Sequence, residues 1–348
     1  MEAEVIEKPD VPDEVILRAL EDCYSIREAM LEFVPRGLDA AAWAYRVDAG
    51  GQAYFLKVSR RTEDTTGAWV PLFLSEQGIG RVIPTMIAKS GTAHAIVDGL
   101  MYRLQHFVAG RSALDARMPA HKWEEFGAFL RTLHALELPA EVSSQLRREQ
   151  FESRRWNRVS ELQGSIHHRS SADPLAAEML EFWRAHEAKV AVILERTAAL
   201  AKSVKQAEHP MVLCHADVHT NNILLGDDGR LYVIDWDDAM LAPKERDLMF
   251  VLAEAGKTER ESFFAGYGEV AVEAPVLAYY QCEWCVEDIG AFAEEILDVD
   301  GATTGARSNS LSWFKYLFAP GNSVSIALAN EFGARTLQGA DPASGGRA

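Results

Sequence analysis

The sequence predicts an α+β protein of two lobes: a small antiparallel-sheet lobe over residues 1–107 and a larger, mainly helical lobe over 108–348. Three observations predict it. Strand-like runs joined by a Gly-rich turn dominate the first part of the chain. Helical 3/4 spacing takes over after Ala109-Gly110. A return to strand–loop–strand near 211–236 interrupts the helices and carries Asp217, Asn221, Asn222 and Asp235. With 348 residues, 48% hydrophobic and 25% charged, the chain has material for a large core, and wholesale disorder is excluded.

Taken in order, residues 1–35 read as an acidic lead-in and a helix, with Pro12 near its start and Val15, Leu17, Leu20 and Tyr24 following. Ala42–Val47 and Ala53–Val58 are strands, and Asp48-Ala49-Gly50-Gly51-Gln52 is the hairpin signal between them. Residues 66–78 read as a helix in which Pro71 is tolerable only in the first turn. Strands are expected at 81–88, 93–97 and 101–107. Trp123, Phe126, Leu130 and Leu133 mark an amphipathic helix over 121–138, stopped by Pro139. Residues 140–208 are helix-like with a break near 170–174. Ile223-Leu224-Leu225 and Leu231–Ile234 flank the hairpin turn Gly226-Asp227-Asp228-Gly229. Residues 245–335 are helical, and the Gly/Ser/Pro-rich tail 339–348 is expected to fray.

The charge balance limits the partners. Thirty-five basic against 52 acidic residues give −17, which repels phosphate backbones and anionic lipid, so neither nucleic acid nor a membrane is expected. Such a surface attracts small cations. The acidic N-terminus lacks the apolar core of a signal peptide, and no run of ~18 apolar residues occurs. Four cysteines are too few for a disulfide framework, so a cytoplasmic location is the default, with a monomer favoured. Cys282-Glu283-Trp284-Cys285 lacks the second pair that a structural zinc site needs and reads as two buried thiols.

The chemistry concentrates in His215-Ala216-Asp217-Val218-His219-Thr220-Asn221-Asn222. Alone, Asp217 would be an ordinary turn residue. Its spacing from Asn222 is that of a kinase catalytic loop, where an Asp takes a hydroxyl proton and an Asn holds a metal. Ile234-Asp235-Trp236 adds a carboxylate at a strand end, suited to Mg²⁺. Lys57, in Phe55-Leu56-Lys57-Val58, fits the cation that holds α/β-phosphates from the other lobe. A protein-kinase-like two-lobed fold using ATP and Mg²⁺ follows, with GTP left open. Asp217 is the catalytic base, and Asn222 and Asp235 are the metal ligands.

This loop, with its second histidine at 219, resembles that of the aminoglycoside phosphotransferase family. Pro243–Leu248 resembles the family's P-x-x-R-D-L segment, and Leu130-Arg131-Thr132-Leu133-His134 its L-x-x-L-H helix; the likeness spans roughly residues 30–290. Residues 234–250, Gly266-Tyr267-Gly268-Glu269 and Val286-Glu287-Asp288-Ile289 resemble the family's spectinomycin-phosphorylating branch. The resemblance implies ATP-dependent transfer to a hydroxyl of spectinomycin, a cationic aminocyclitol. Other acceptors for the same loop are another aminoglycoside, choline, homoserine or a methylthio-sugar, and a nucleotide-binding pseudokinase is the non-enzymatic alternative. The resemblance also implies that Gln105, His106, Phe107 and Val108 meet the adenine, and that Gly37 lies in the nucleotide loop. A carboxylate next to the following helix, Glu63 or Asp64, would pair with Lys57.

Ammonium groups of an acceptor would need carboxylates on the larger lobe. Asp238, Glu283, Glu287 and Asp288 are the candidates, and a solvated acidic helix face is the plainer reading. Glu283 and Glu287 share a helix face, where two like charges repel unless a cation lies between them. Trp284 and Tyr280 could wall that pocket or belong to the core. His215 is expected to brace the loop, His219 to have a structural or substrate-orienting role, and Arg246 and Asp247 to pin the loop to the next helix.

Overall fold

The computed structural model describes residues 8–35, 41–298, 302–329 and 336–337. The N-terminal lobe comprises α1 (Asp13–Tyr24), β1 (Met30–Val34), β2 (Ala42–Ala49), β3 (Gln52–Ser59), α2 (Thr66–Glu76), β4 (Ala95–Val97) and β5 (Leu100–His106). Its five strands form an antiparallel sheet in the order β1-β2-β3-β5-β4. The β2–β3 hairpin closes on Gly50 and Gly51, both at positive φ (58° and 76°), the turn whose twist matches the flanking strands. Tyr45, Val47, Leu56 and Val58 alternate onto the face covered by Ile16, Ala19 and Leu20 of α1. The same alternation turns Lys57 to the opposite face, and the register sets it directly across from Arg103 on β5.

The larger lobe begins with β6 (Gly110–Ser112), then α3 (Ala120–His134), α4 (Ala140–Ser143), β7 (Arg147–Arg148), α5 (Trp156–Ser165) and α6 (Pro174–Val204). The polar segment follows as β8 (Val212–Cys214), β9 (Ile223–Gly226), β10 (Leu231–Val233) and β11 (Met240–Ala242). The chain continues through α7 (Glu245–Glu254), α8 (Lys257–Tyr267), β12 (Val270–Ala271), α9 (Ala274–Leu297), α10 (Thr304–Leu317), α11 (Ser323–Leu328) and β13 (Thr336–Leu337). β6 pairs with β9, so the chain leaves the first sheet at His106 and joins a second within four residues. Helices α3 and α8 touch backbone to backbone: a Cβ on Gly127 would lie 2.0 Å from the Phe263 carbonyl oxygen, and one on Gly266 1.9 Å from that of Glu124. Gly266, the first glycine of the Gly266-Tyr267-Gly268 segment, is thus a packing requirement. Helix α9 is buried along most of its length and joins two apolar clusters, one with α3, α7 and α8, the other with α5, α6, α10 and α11.

Several expectations change. Residues 30–34 form an edge strand, where the sequence reads as the end of a helical lead-in. Residues 81–88 are not a strand; Arg81 has φ 73°, and a single bridge ties Thr85 to Gln105. Pro71 sits in the second turn of α2, not its first, so the Gly67 carbonyl lacks its i+4 donor. Cys214, Cys282 and Cys285 are free and buried. No helix among the described residues is long and apolar enough to cross a membrane.

Candidate active site

The loop after β8 is held from below. Ala216 takes a left-handed φ of 68°, costly for a residue with a Cβ unless its surroundings fix it. Asp247, fully buried in the first turn of α7, accepts the His215 N–H at 3.0 Å and the Ala216 N–H at 2.7 Å. The Arg246 Nε donates to the Ala216 carbonyl at 3.1 Å. His134, at the end of α3, lies 3.0 Å from the Asp247 Oδ2 through Nε2 and 2.8 Å from the Tyr267 hydroxyl through Nδ1. Burial pushes the Asp247 carboxyl up, but His134, His215 and the Ala216 N–H outweigh it and hold it below the usual carboxylate range. The L-x-x-L-H and R-D segments therefore converge on one clamp.

His215 is buried and links two loops. Its Nε2 lies 2.9 Å from the Ile234 carbonyl and its Nδ1 accepts the Asp217 N–H at 3.3 Å. The ring packs on Trp236 at 4.6 Å. Asn222 donates its amide Nδ2 to the Asp217 carbonyl (2.8 Å) and Oδ2 (3.0 Å). The Asn222 backbone carbonyl accepts the Ile234 N–H at 3.0 Å, which sets Asn222 beside the strand end that carries Asp235. Desolvation raises the Asp217 pKa, but the nearby His219, 3.5 Å from Oδ2, with His215 and Arg246, keeps it below its ordinary value. Asp217 is thus an ionised carboxylate able to accept a proton. Asp235, also at left-handed φ (62°), is largely exposed and carries its carboxylate out of the backbone ladder.

Lys57 reaches across from the N-terminal lobe to Asp235 (2.8 Å) and Asp237 (2.9 Å). Burial works against its charge, and the two carboxylates more than offset this. Glu63 and Asp64 do not fill this role: Asp64 accepts the Thr66 N–H at the start of α2 instead. Asp237, which sequence reasoning missed, also receives the fork of Arg103. The signal was present as a second acid two residues after Asp235, but only the β3–β5 register shows that a second cation stands opposite Lys57.

The remaining candidates separate. Glu283 is buried and paired with Arg246 at 2.6 Å, and Glu287 accepts from Ser153, the Arg155 backbone and the Arg155 guanidinium. Each thus has its own internal cation, which corrects the expectation that an acceptor's ammonium lies between them. Asp238 is shared by Arg147 and Arg154 at the surface. Trp284 is half-buried against Phe250, whose ring also meets His219; Tyr280 is fully buried. Asp288 differs: among the described residues no Lys or Arg forms a salt bridge with it, and burial, then the Asp217 charge, raises its pKa to about 8 against the opposing pull of His219. In the linker, Gln105 donates to the Ile83 carbonyl, His106 stacks on Tyr54 at 5.5 Å, and the Phe107 N–H goes to the Ala53 carbonyl. The Val108 backbone makes no hydrogen bond among the described residues. Gly37 lies outside the described residues.

The model of the phosphotransferase enzyme family matches residues 31–280. Protein StrN of Streptomyces griseus is 26% identical over 296 residues, covering 81% of this chain and 84% of that protein. The crystal structure of spectinomycin phosphotransferase APH(9)-Ia with ADP and spectinomycin is 28% identical, with a TM-score of 0.84 over 92% of this chain and 99% of that one. Choline kinase LicA from Streptococcus pneumoniae shares the fold, at 13% identity, a TM-score of 0.55, and coverage of 87% and 97%.

Proposed function

The chain belongs to the phosphotransferase enzyme family, and within it we propose an ATP-dependent kinase that moves the γ-phosphate to a hydroxyl of spectinomycin or a closely similar cationic aminocyclitol. The observation that carries the phosphotransfer reading is the meeting of Asp217, Asn222 and Asp235 on two adjoining loops, with Lys57 arriving from the other lobe. Phosphoryl transfer asks for little covalent chemistry from the protein and much positioning of charge. The lobes divide near residue 108, where the Val108 backbone, which makes no hydrogen bond among the described residues, offers a donor and an acceptor to an adenine edge.

Each residue has a task in this reading. Asp217 orients the acceptor hydroxyl and takes its proton, and His219 limits where its carboxylate points. Lys57 holds the α/β-phosphates. The donor set beside it fits Mg²⁺: Asn222 commits its Nδ2 to Asp217, which leaves Oδ1, and Asp235 adds an exposed carboxylate, so the donors are hard oxygens. Magnesium bound there would neutralise phosphate charge. Asp247, His134 and Arg246 act through the loop they hold.

The acceptor class rests on different support. Asp288 is a buried carboxyl within the field of Asp217 and, among the described residues, without a Lys or Arg partner, so an ammonium group of the acceptor would draw off its proton and pair with it. Spectinomycin carries basic methylamino groups, and the likeness to a spectinomycin phosphotransferase extends over nearly the whole chain. The test is ADP release with ATP and Mg²⁺ against spectinomycin, streptomycin, kanamycin, choline and homoserine. Turnover confined to spectinomycin is expected. Turnover with another acceptor alone would overturn the substrate and keep the chemistry; tight ATP binding without turnover on any acceptor would favour a pseudokinase.

A further inference from the structure

We propose that Asp237, locked by Arg103 and by the first turn of α2, is the standing anchor of Lys57, while Asp235 is a partner that Lys57 gives up when nucleotide binds. The proposal rests on the reading of Lys57 as the phosphate-binding lysine. The sole carboxylate within α2, Glu76, is exposed at its far end, so the helix offers Lys57 no partner. The acid comes instead from the larger lobe.

The register makes this arrangement necessary. Lys57 and Arg103 are directly opposed on neighbouring strands, where two like charges repel. Asp237 stands between them and accepts from both, with the Arg103 fork on its two oxygens. Arg103 is 9% exposed and Lys57 18%, so an uncompensated charge at either is costly. Helix α2 closes the third side: a Cβ on Gly67 would come 1.8 Å from the Asp237 Oδ1 and 2.1 Å from an Arg103 nitrogen. Glycine is therefore required there for Asp237 to keep its place. The helix's N-terminal N–H groups also favour a carboxylate at that end.

The two partners of Lys57 are unequal. Asp235 is 44% exposed, and Lys57 is its one ion-pair partner among the described residues. Asp237 has three fixed neighbours. When Asp235 turns to a metal–phosphate complex, Asp237 alone keeps Lys57 in line. Asp237 and Arg103 are thus positioning residues that act through the lysine.

Arg103→Lys and Gly67→Ala preserve every charge, so their effects report position rather than net charge. ADP affinity is measured by calorimetry in EDTA for wild type and both variants. The expected loss is ~10-fold or more, the value of a displaced charge-assisted hydrogen bond. The KM for ATP should rise by a similar factor, with melting temperatures near wild type as the check on folding; if Gly67→Ala does not fold, Arg103→Lys still decides. Asp237→Asn and Asp235→Asn are compared for Mg²⁺ half-saturation, and only Asp235→Asn should raise it. Wild-type ADP affinity in both charge-preserving variants overturns the anchor. So does a rise in Mg²⁺ half-saturation for Asp237→Asn equal to that of Asp235→Asn, since Asp237 is then a metal ligand. Failure of the wild type to bind ADP overturns the phosphate reading itself.

Discussion

Arg246 and Glu283 meet at 2.6 Å with side chains only 16% and 10% exposed, so this ion pair is internal structure and not a surface for substrate. Arg246 also donates to the Ala216 carbonyl and lies over the Tyr280 ring, with its guanidinium carbon 5.4 Å from the ring centroid. Arg246→Met leaves Glu283 buried without its cation and should cost ~3–5 kcal/mol. Urea unfolding at neutral pH checks the loss. Glu283→Gln should leave the acceptor KM unchanged; a large rise would return Glu283 to the substrate pocket.

Asp217→Asn should retain the fold, because an amide oxygen can still accept from Asn222. In the proposed reading it removes the group that takes the hydroxyl proton, and general-base catalysis contributes roughly 10²–10⁴-fold. The expected result is a fall in kcat of that size with ADP affinity unchanged. Steady-state kinetics and calorimetry on the same preparation separate the two. Wild-type turnover by the variant would remove Asp217 from the chemistry.

The meeting of the loop residues was legible in the sequence because it depends on local spacing: Asp217 to Asn222, then a strand end at Asp235. The two-lobed plan was legible for the same reason, through the Gly50-Gly51 turn and the periodicity of α3. What the sequence concealed depends on register and on distant partners. Lys57 was placed on its strand, but its acid was sought nearby at Glu63 or Asp64, whereas sheet geometry sends the side chain to a loop 180 residues on. Glu283 and Glu287 looked like ligands because Arg246 and Arg155, their partners, come from other segments. The strand at Met30–Val34 was missed because its edge position demands little apolar alternation.

Asp247 should give the fold an acid-sensitive component. Its folded pKa lies below the unfolded value of ~3.9, so its stabilisation is present above that pH and is lost as pH falls through the folded value. Asp247→Asn can satisfy one N–H but not both, and should lose roughly 3 kcal/mol at neutral pH. The gap from wild type should close as the solution is taken below about pH 4. Denaturant titrations of both proteins from neutral to acid pH measure it; a gap that stays constant would mean that charge is not what Asp247 contributes.

Asp288 predicts the opposite dependence. Burial, then the charge of Asp217, raises its pKa to about 8, with Glu283 and Glu287 adding to the effect and His219 opposing it. The folded value lies above the unfolded ~3.9, so the stability linked to Asp288 is complete below ~3.9 and is lost as pH rises through the folded value. Asp288→Asn should be at least as stable as wild type at neutral pH and should lack that decline. A cationic acceptor reverses the balance, because its ammonium favours the carboxylate and binding then expels a proton. Wild type should therefore bind acceptor more tightly as pH rises from about 6.5 to about 8.5, with proton release visible as a dependence of the binding enthalpy on buffer. Asp288→Asn should bind more weakly, release no proton and show no such rise. Equal proton release by both proteins would place the acceptor's cation elsewhere, and spectinomycin would then lose its main structural support in this pocket.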